Sequence, residues 1–140
     1  MNYIRRILVV VLFCFAINIS KSNDNFNKFN LSGIQLGEVK GECTMNLCDS
    51  YMLEGSSKLI YSSCCQFMVI NGRKEYLKNN SQSSPTTVEL ENANYIVIIN
   101  YTKLNCNGKV CCDMKGEMTI TNKRSDEIKE FKVYGSVNCE

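Results

Sequence analysis

Histidine is absent from this chain of 140 residues, tryptophan is absent too, and proline occurs once, at Pro85. Without histidine there is no Ser-His or Cys-His nucleophilic machinery, no imidazole acid–base chemistry and no zinc site that needs an imidazole ligand. Alanine is confined to Ala16 and Ala93, and no stretch holds a 3.6-residue apolar period beyond two turns, so helices are not expected to build the core. The carboxylates offer no catalytic pair. Glu89 and Glu91 would share one strand face as solvated charges, whereas a glycosidase dyad aims two carboxylates into one cleft. Asp113 and Lys103 read as ordinary polar strand-face residues. The chain is therefore not expected to be an enzyme, and no cofactor is implied.

Long apolar runs are also missing, with one exception near the start. Arg5 and Arg6 precede the run Ile7 to Ile19, which Ser20 and Ser22 follow. A helix of that length reaches roughly 20 Å, short of the roughly 30 Å of a bilayer core. The segment reads as a signal peptide over residues 1–22 rather than a membrane anchor, with small residues at −3 and −1 if cleavage follows Ser22. No stable membrane insertion is expected of the mature chain. Cleavage leaves one domain-sized chain and takes away three cations, Arg5, Arg6 and Lys21, and no anion. The formal charge moves from +2 to −1. The apparent basicity thus belongs to the targeting segment, and no electrostatic case for nucleic acid survives maturation.

Cysteine is what the chain has in excess. Cys14 lies in the signal, which leaves Cys43, Cys48, Cys64, Cys65, Cys106, Cys111, Cys112 and Cys139. An even number of cysteines in an exported chain reads as a disulfide framework, here of four bridges. A thiolate metal site is the weaker reading, because no C-x-x-C pair occurs and export oxidises thiols. Strand alternation turns Cys112 and Cys139 toward the same side, which predicts a Cys112–Cys139 bridge.

The remaining pattern is β. Residues 23–41 form a polar, Asn-rich, flexible arm that ends as an edge strand near Leu31, and residues 42–140 form the disulfide-rich domain. Asn71-Gly72 joins two β-favouring runs in the strongest short hairpin signal, setting Phe67 opposite Tyr76 and Val69 opposite Lys74. Asn94 to Cys106 reads as a strand, Asn107-Gly108 as a turn, and Lys109 to Thr121 as a strand. In the last of these Val110, Cys112, Met114, Met118 and Ile120 face the core. After a turn at 122–126, Phe131, Val133, Val137 and Cys139 share a face. At most a short helical turn is expected within Cys48 to Ser57. The fold expected is mainly β: a small antiparallel β-sandwich or meander of six to eight strands stapled by four disulfides.

Such a scaffold stays folded outside cells and presents variable loops. The function expected is that of a secreted, toxin-like, effector-like or receptor-ligand module that binds an extracellular protein or a cell-surface receptor by surface contact. Its candidate contact loops are 79–87, the Asn71-Gly72 tip and the 122–126 turn. Tyr51, Tyr61, Tyr76, Tyr95, Tyr101 and Tyr134 suit recognition surfaces and strand interiors equally. Three glycosylation sequons fall at Asn30, Asn79 and Asn100, of which Asn79 sits in the most exposed loop. Two other classes compete. A protease inhibitor would use the Cys106–Cys111 loop with Lys109 as specificity residue, and a carrier would hold small apolar ligands between its sheets.

Overall fold

A computed structural model describes residues 30–35, 48–80, 84–106 and 110–137. These residues form ten strands and no helix: β1 (Leu31–Ser32), β2 (Ser50–Leu53), β3 (Leu59–Ser62), β4 (Phe67–Ile70), β5 (Arg73–Tyr76), β6 (Lys78–Asn79), β7 (Thr87–Glu91), β8 (Tyr95–Leu104), β9 (Cys112–Asn122) and β10 (Ile128–Val137). Every pairing is antiparallel. One sheet has three strands in the order β1-β4-β5, and the other has seven in the order β3-β2-β10-β9-β8-β7-β6. The sandwich and meander expectations both hold in part, because β6 to β10 run as a meander that makes up most of the larger layer. The strand number exceeds the six to eight expected, since two-residue strands such as β1 and β6 leave no periodic trace in a sequence.

Alternation along the long strands builds the core. Val97, Ile99 and Tyr101 of β8, Met114, Met118 and Ile120 of β9, and Val133 and Val137 of β10 point inward and are buried. Met68 and Ile70 of β4, with Leu77, close over them from the smaller sheet in one continuous cluster. Leu77 alone separates β5 from β6, so the chain passes from one sheet to the other through a single buried residue. Phe67 and Val69 of β4 face the other way and meet Ile34, Cys65 and Leu59 in a second, smaller cluster. That explains the unbroken apolar run in β4: both of its faces are covered, by different neighbours.

The Asn71–Gly72 turn has φ of +53° and +73°, the double left-handed geometry of a type I′ turn. It sets Phe67 opposite Tyr76 and Val69 opposite Lys74, as read from sequence. Leu31–Ser32 pairs with Ile70 and Val69 as the edge strand expected at the end of the arm. Ile34 N–H then donates to the Leu59 carbonyl at 2.7 Å.

Three expectations are corrected. The region from Cys48 to Ser57 holds strand β2 and a turn at Glu54 and Gly55, not a helical turn. Val110 is 61% exposed, because it precedes the first ladder residue of β9 and so never enters the pleat that would turn it inward. Cys112 pairs with Cys106 and not with Cys139. The β8–β9 register sets Leu104 opposite Asp113, so Cys106 and Cys112 meet just beyond the end of the ladder, with Cα atoms 4.3 Å apart. A partner across the same hairpin was closer than one on the next strand. A second bridge joins Cys48 to Cys64. Two disulfides thus lie within the described residues. Cys65 and Cys111 are disulfide-bonded as well. Cys43 and Cys139, Lys109, and the expected turn at Asn107-Gly108 lie outside the described residues.

Candidate functional site

Three turns gather at one end of the sandwich. The β4–β5 tip carries Asn71 and Gly72, the β7–β8 connection carries Asn92 to Asn94, and the β9–β10 connection starts after Asn122. Hairpins that are neighbours in one sheet end side by side, which brings the second and third turns together. The smaller sheet lays the tip across them. Asparagine side chains hold each turn in place. Asn92 Oδ1 accepts the N–H groups of Asn94 and Tyr95, both at 2.8 Å. Asn122 Oδ1 accepts the Arg124 N–H at 2.9 Å, and Asn71 Oδ1 accepts the Asn30 N–H at 2.7 Å. The Asn92 and Asn122 bonds are local Asx-type turns, in which a short amide replaces a missing backbone partner, whereas the Asn71 bond ties the tip to the distant Asn30.

Longer contacts tie the turns to one another. Lys123 N–H donates to the Asn94 carbonyl at 2.8 Å, and Lys123 Nζ reaches the Asn92 carbonyl at 2.7 Å and Glu91 Oε2 at 3.2 Å. Glu75 on β5 receives Asn92 Nδ2 at 2.9 Å and Asn94 Nδ2 at 3.4 Å on the same carboxylate oxygen, Oε2. This link between the two sheets divides the end into two clefts. One, of about 500 Å³, lies among Tyr76, Leu77, Lys78 and the Glu91–Lys123 ion pair. The other, of about 360 Å³, lies among Asn71, Arg73, Glu75, Asn94, Asn122 and Arg124, with Tyr95 at its floor. Burial and the nearby Glu75 carboxylate push the Tyr95 phenol above its ordinary pKa, while Arg124 and Arg73 pull it back. Both guanidiniums therefore act electrostatically on the same phenol.

On the outer face of the smaller sheet, Lys74 Nζ sits 4.8 Å from the centre of the Phe67 ring, and the Tyr76 ring lies 5.6 Å from it on the other side of the pair. Tyr76 is 57% exposed. Four of the six tyrosines noted in the sequence, Tyr51, Tyr61, Tyr95 and Tyr101, are core residues instead.

Of the contact loops expected from sequence, the structure brings two together, the Asn71-Gly72 tip and the 122–126 turn, both at the cleft with the two arginines. It keeps the third apart. The 79–87 loop leads into Thr87, which pairs with Asn100 midway along β8, and Tyr101 anchors it by donating from its hydroxyl to the Pro85 carbonyl at 3.2 Å. Asn30, Asn79 and Asn100 are all exposed. Asn100 belongs to the solvent face of the larger sheet, in a row with Thr87, Glu117 and Lys132. Glu89 and Glu91 share that face, as expected. Among the described residues no group of three potential ligands could hold a metal ion. Sequence reasoning missed Asn92, Arg73 and Arg124 as a set. Arg73 follows a flagged turn and Arg124 lies inside one, but nothing in their spacing says that the two turns touch.

No protein-family model matches the chain, and no curated protein or solved structure matches it significantly.

Proposed function

We propose that this protein is a secreted, disulfide-stabilised binding module that contacts an extracellular protein or cell-surface receptor through the end formed by the 71–72, 92–94 and 122–126 turns, with no catalytic step. The observation that carries this reading is the convergence of exposed turns from both sheets around two clefts, each turn held by its own hydrogen bonds. Loops fixed on a rigid scaffold are where recognition concentrates. Extracellular residence rests on the signal-like residues 1–22 and on disulfides within the domain. The frame this reading expects is four bridges among the eight cysteines of the mature chain. Glycans at Asn30, Asn79 and Asn100 are compatible with this reading, since all three acceptors are exposed.

The test is secretion followed by capture. Expressed in a eukaryotic secretory host, the protein is expected in the medium without residues 1–22 and with no free thiol by mass spectrometry. Replacement of residues 122–126 with a neutral turn is expected to weaken its binding to its target surface at least about tenfold, the size of a typical interface hot spot. Full binding by that variant, or retention of the protein in the cytosol with reduced cysteines, would sink the proposal.

A second reading has one observation in its favour. The Cys106–Cys112 bridge closes a short segment that contains Lys109, and Val110 beside it is exposed. A disulfide-closed segment with a basic residue is what an inhibitor of a trypsin-like protease presents. Titration of trypsin-like proteases with the protein and with Lys109→Ala separates this reading from the first. The carrier reading draws no comparable support, since Met68, Ile70, Leu77, Met118 and Ile120 fill the space between the sheets.

A further inference from the structure

We infer that the cleft between Arg73 and Arg124 is a binding site for a tetrahedral oxyanion of the sulfate or phosphate type, such as the sulfate ester of an extracellular glycan. The inference rests on the contact-end reading above and gives that end a ligand chemistry.

Four observations carry it. Among the described residues neither guanidinium makes an ion pair or a side-chain hydrogen bond, although a carboxylate lies in the same cleft. That carboxylate, Glu75, is instead engaged by the amides of Asn92 and Asn94, so the arginines are not recruited to neutralise it. The asparagines at the rim are oriented as donors. Asn71 and Asn122 each commit the carbonyl oxygen of the side chain to a backbone N–H, so the NH₂ group is what each has left to offer a ligand in the cleft they line. Finally, these donors come from two different turns, one from each sheet, and line a cavity of about 360 Å³. Donors converging from several directions suit an anion with oxygens in several directions, and the planar fork of arginine is the side chain best matched to sulfate and phosphate oxygens.

The surrounding charges reduce the site without cancelling it: the Glu75 carboxylate keeps its negative charge in the cleft, against two guanidiniums. Lys123, next to Arg124 in sequence, is held by Glu91 and by the Asn92 carbonyl. Glu127, whose charge also reaches Tyr95, is engaged with Lys129 at 4.0 Å. Two uncommitted positive groups on one small cleft are notable in a mature chain whose formal charge is slightly negative, because such a chain has no general attraction for polyanions.

The test uses the purified protein with its disulfides intact. Its probes are sodium sulfate, sodium phosphate, a sulfated heparin-type disaccharide and the same disaccharide desulfated, with sodium chloride at matched ionic strength as reference. Amide chemical-shift titration is expected to show saturable, one-site changes around Asn71, Arg73, Asn122 and Arg124. Arg73→Ala and Arg124→Ala are each expected to weaken binding about tenfold, the loss of one charge-assisted contact. Lys132→Ala, on the outer face of the larger sheet, is expected to change nothing. Both arginines are exposed, so equal melting temperatures are expected to show that the variants remain folded. Tighter binding of the sulfated than of the desulfated disaccharide, and than of inorganic sulfate, identifies a glycan sulfate as the source. Equal binding of inorganic sulfate identifies a free anion. A response to chloride equal to that for sulfate, or anion binding that survives the double Arg73→Ala, Arg124→Ala substitution, overturns the inference. The two readings fail separately. A target captured normally by the double arginine variant, but lost on replacement of the 122–126 turn, refutes the oxyanion as the recognised group and leaves the contact end standing. Saturable sulfate binding with capture indifferent to that replacement does the opposite.

Discussion

At the scale of single residues, the least satisfied group in the core is a phenol. Tyr51 is 1% exposed, its ring lies 5.9 Å from that of Tyr61, and its hydroxyl finds no hydrogen-bond partner among the described residues. A buried hydroxyl without a partner keeps its desolvation cost and returns nothing for it, commonly about 1–3 kcal/mol. Phenylalanine keeps the ring and removes the cost. Tyr51→Phe is therefore expected to leave the fold unchanged and to raise stability by about 1 kcal/mol, read as a higher denaturation midpoint with an unchanged denaturant slope. A loss of more than about 1 kcal/mol would mean that the hydroxyl has a partner after all. The sequence gives no hint of this, because tyrosine on a strand looks the same whether its hydroxyl is satisfied or stranded.

At the scale of elements, the long strands depend on two glycines that face the core. Gly116 of β9 stands opposite Tyr101 of β8, and Gly135 of β10 stands opposite Tyr51 of β2. Each glycine lies beside an inward-pointing tyrosine, an arrangement known to offset the weakness of glycine in a sheet. The approach is close: a Cβ at Gly116 would fall 2.1 Å from the Asn100 carbonyl oxygen and 2.7 Å from Tyr101 Cα. Backbone cannot give way as a flexible side chain can. Gly116→Ala is expected to destabilise by about 1–3 kcal/mol, the usual cost of overpacking a tight site, measured by chemical denaturation. A neutral result would mean that β8 and β9 can move apart locally without loss.

Elements were also what the sequence showed best. The alternation of Met114, Met118 and Ile120 against Lys115, Glu117 and Thr119 gave β9 its inner and outer faces, and Asn71-Gly72 gave the hairpin and its register. Both signals are local, because side-chain direction and turn geometry are decided within a few residues. The errors fell where local signals compete with chain direction. Period-two counting back along β9 turns Val110 inward, but the strand begins at Cys112. The same parity points Cys112 toward the next strand, but Cys106 across its own hairpin is its partner. Parity says which face a cysteine points to, and it does not say which neighbour on that face closes the bond.

At the scale of the whole molecule, the buried tyrosines set a limit on stability at high pH. Burial, with a smaller contribution from the Asp49 charge, pushes the Tyr61 phenol up to about 12 and raises Tyr51 further in the same direction. Tyr101 is raised by the same two causes. In the unfolded chain these groups titrate near 10. Above that pH the unfolded state releases protons that the folded state retains, so it binds fewer protons and stability falls as pH rises. The contribution is fully present below about pH 10 and is lost between about pH 10 and pH 12, by roughly 2–3 kcal/mol for Tyr61 alone. Thermal melts across that window are expected to move to lower temperature in step with the appearance of tyrosinate absorbance. Melting that stays level to pH 12, while that absorbance has already appeared, would show the phenols to be accessible in the folded state.

The amino-acid order by itself settled the class of the molecule: β strands rather than helices, cysteines enough for a stapled frame, and exposed turns at Asn71-Gly72 and after Asn122. Period-two burial, cysteine parity and asparagine-glycine turns are properties of short windows, so they can be read from one chain. Only the tertiary structure decided that β4 is buried on both faces, that Leu31–Ser32 pairs with β4, and that the two turns share a cleft with Arg73 and Arg124. The positions that meet there, 71–73 and 122–124, are separated by five strands and belong to different sheets. Their meeting depends on how one sheet lies across the other, which is set by the packing of Met68, Ile70 and Leu77 against Met118 and Ile120. Packing of that kind is a property of the whole core, and no short window of sequence contains it.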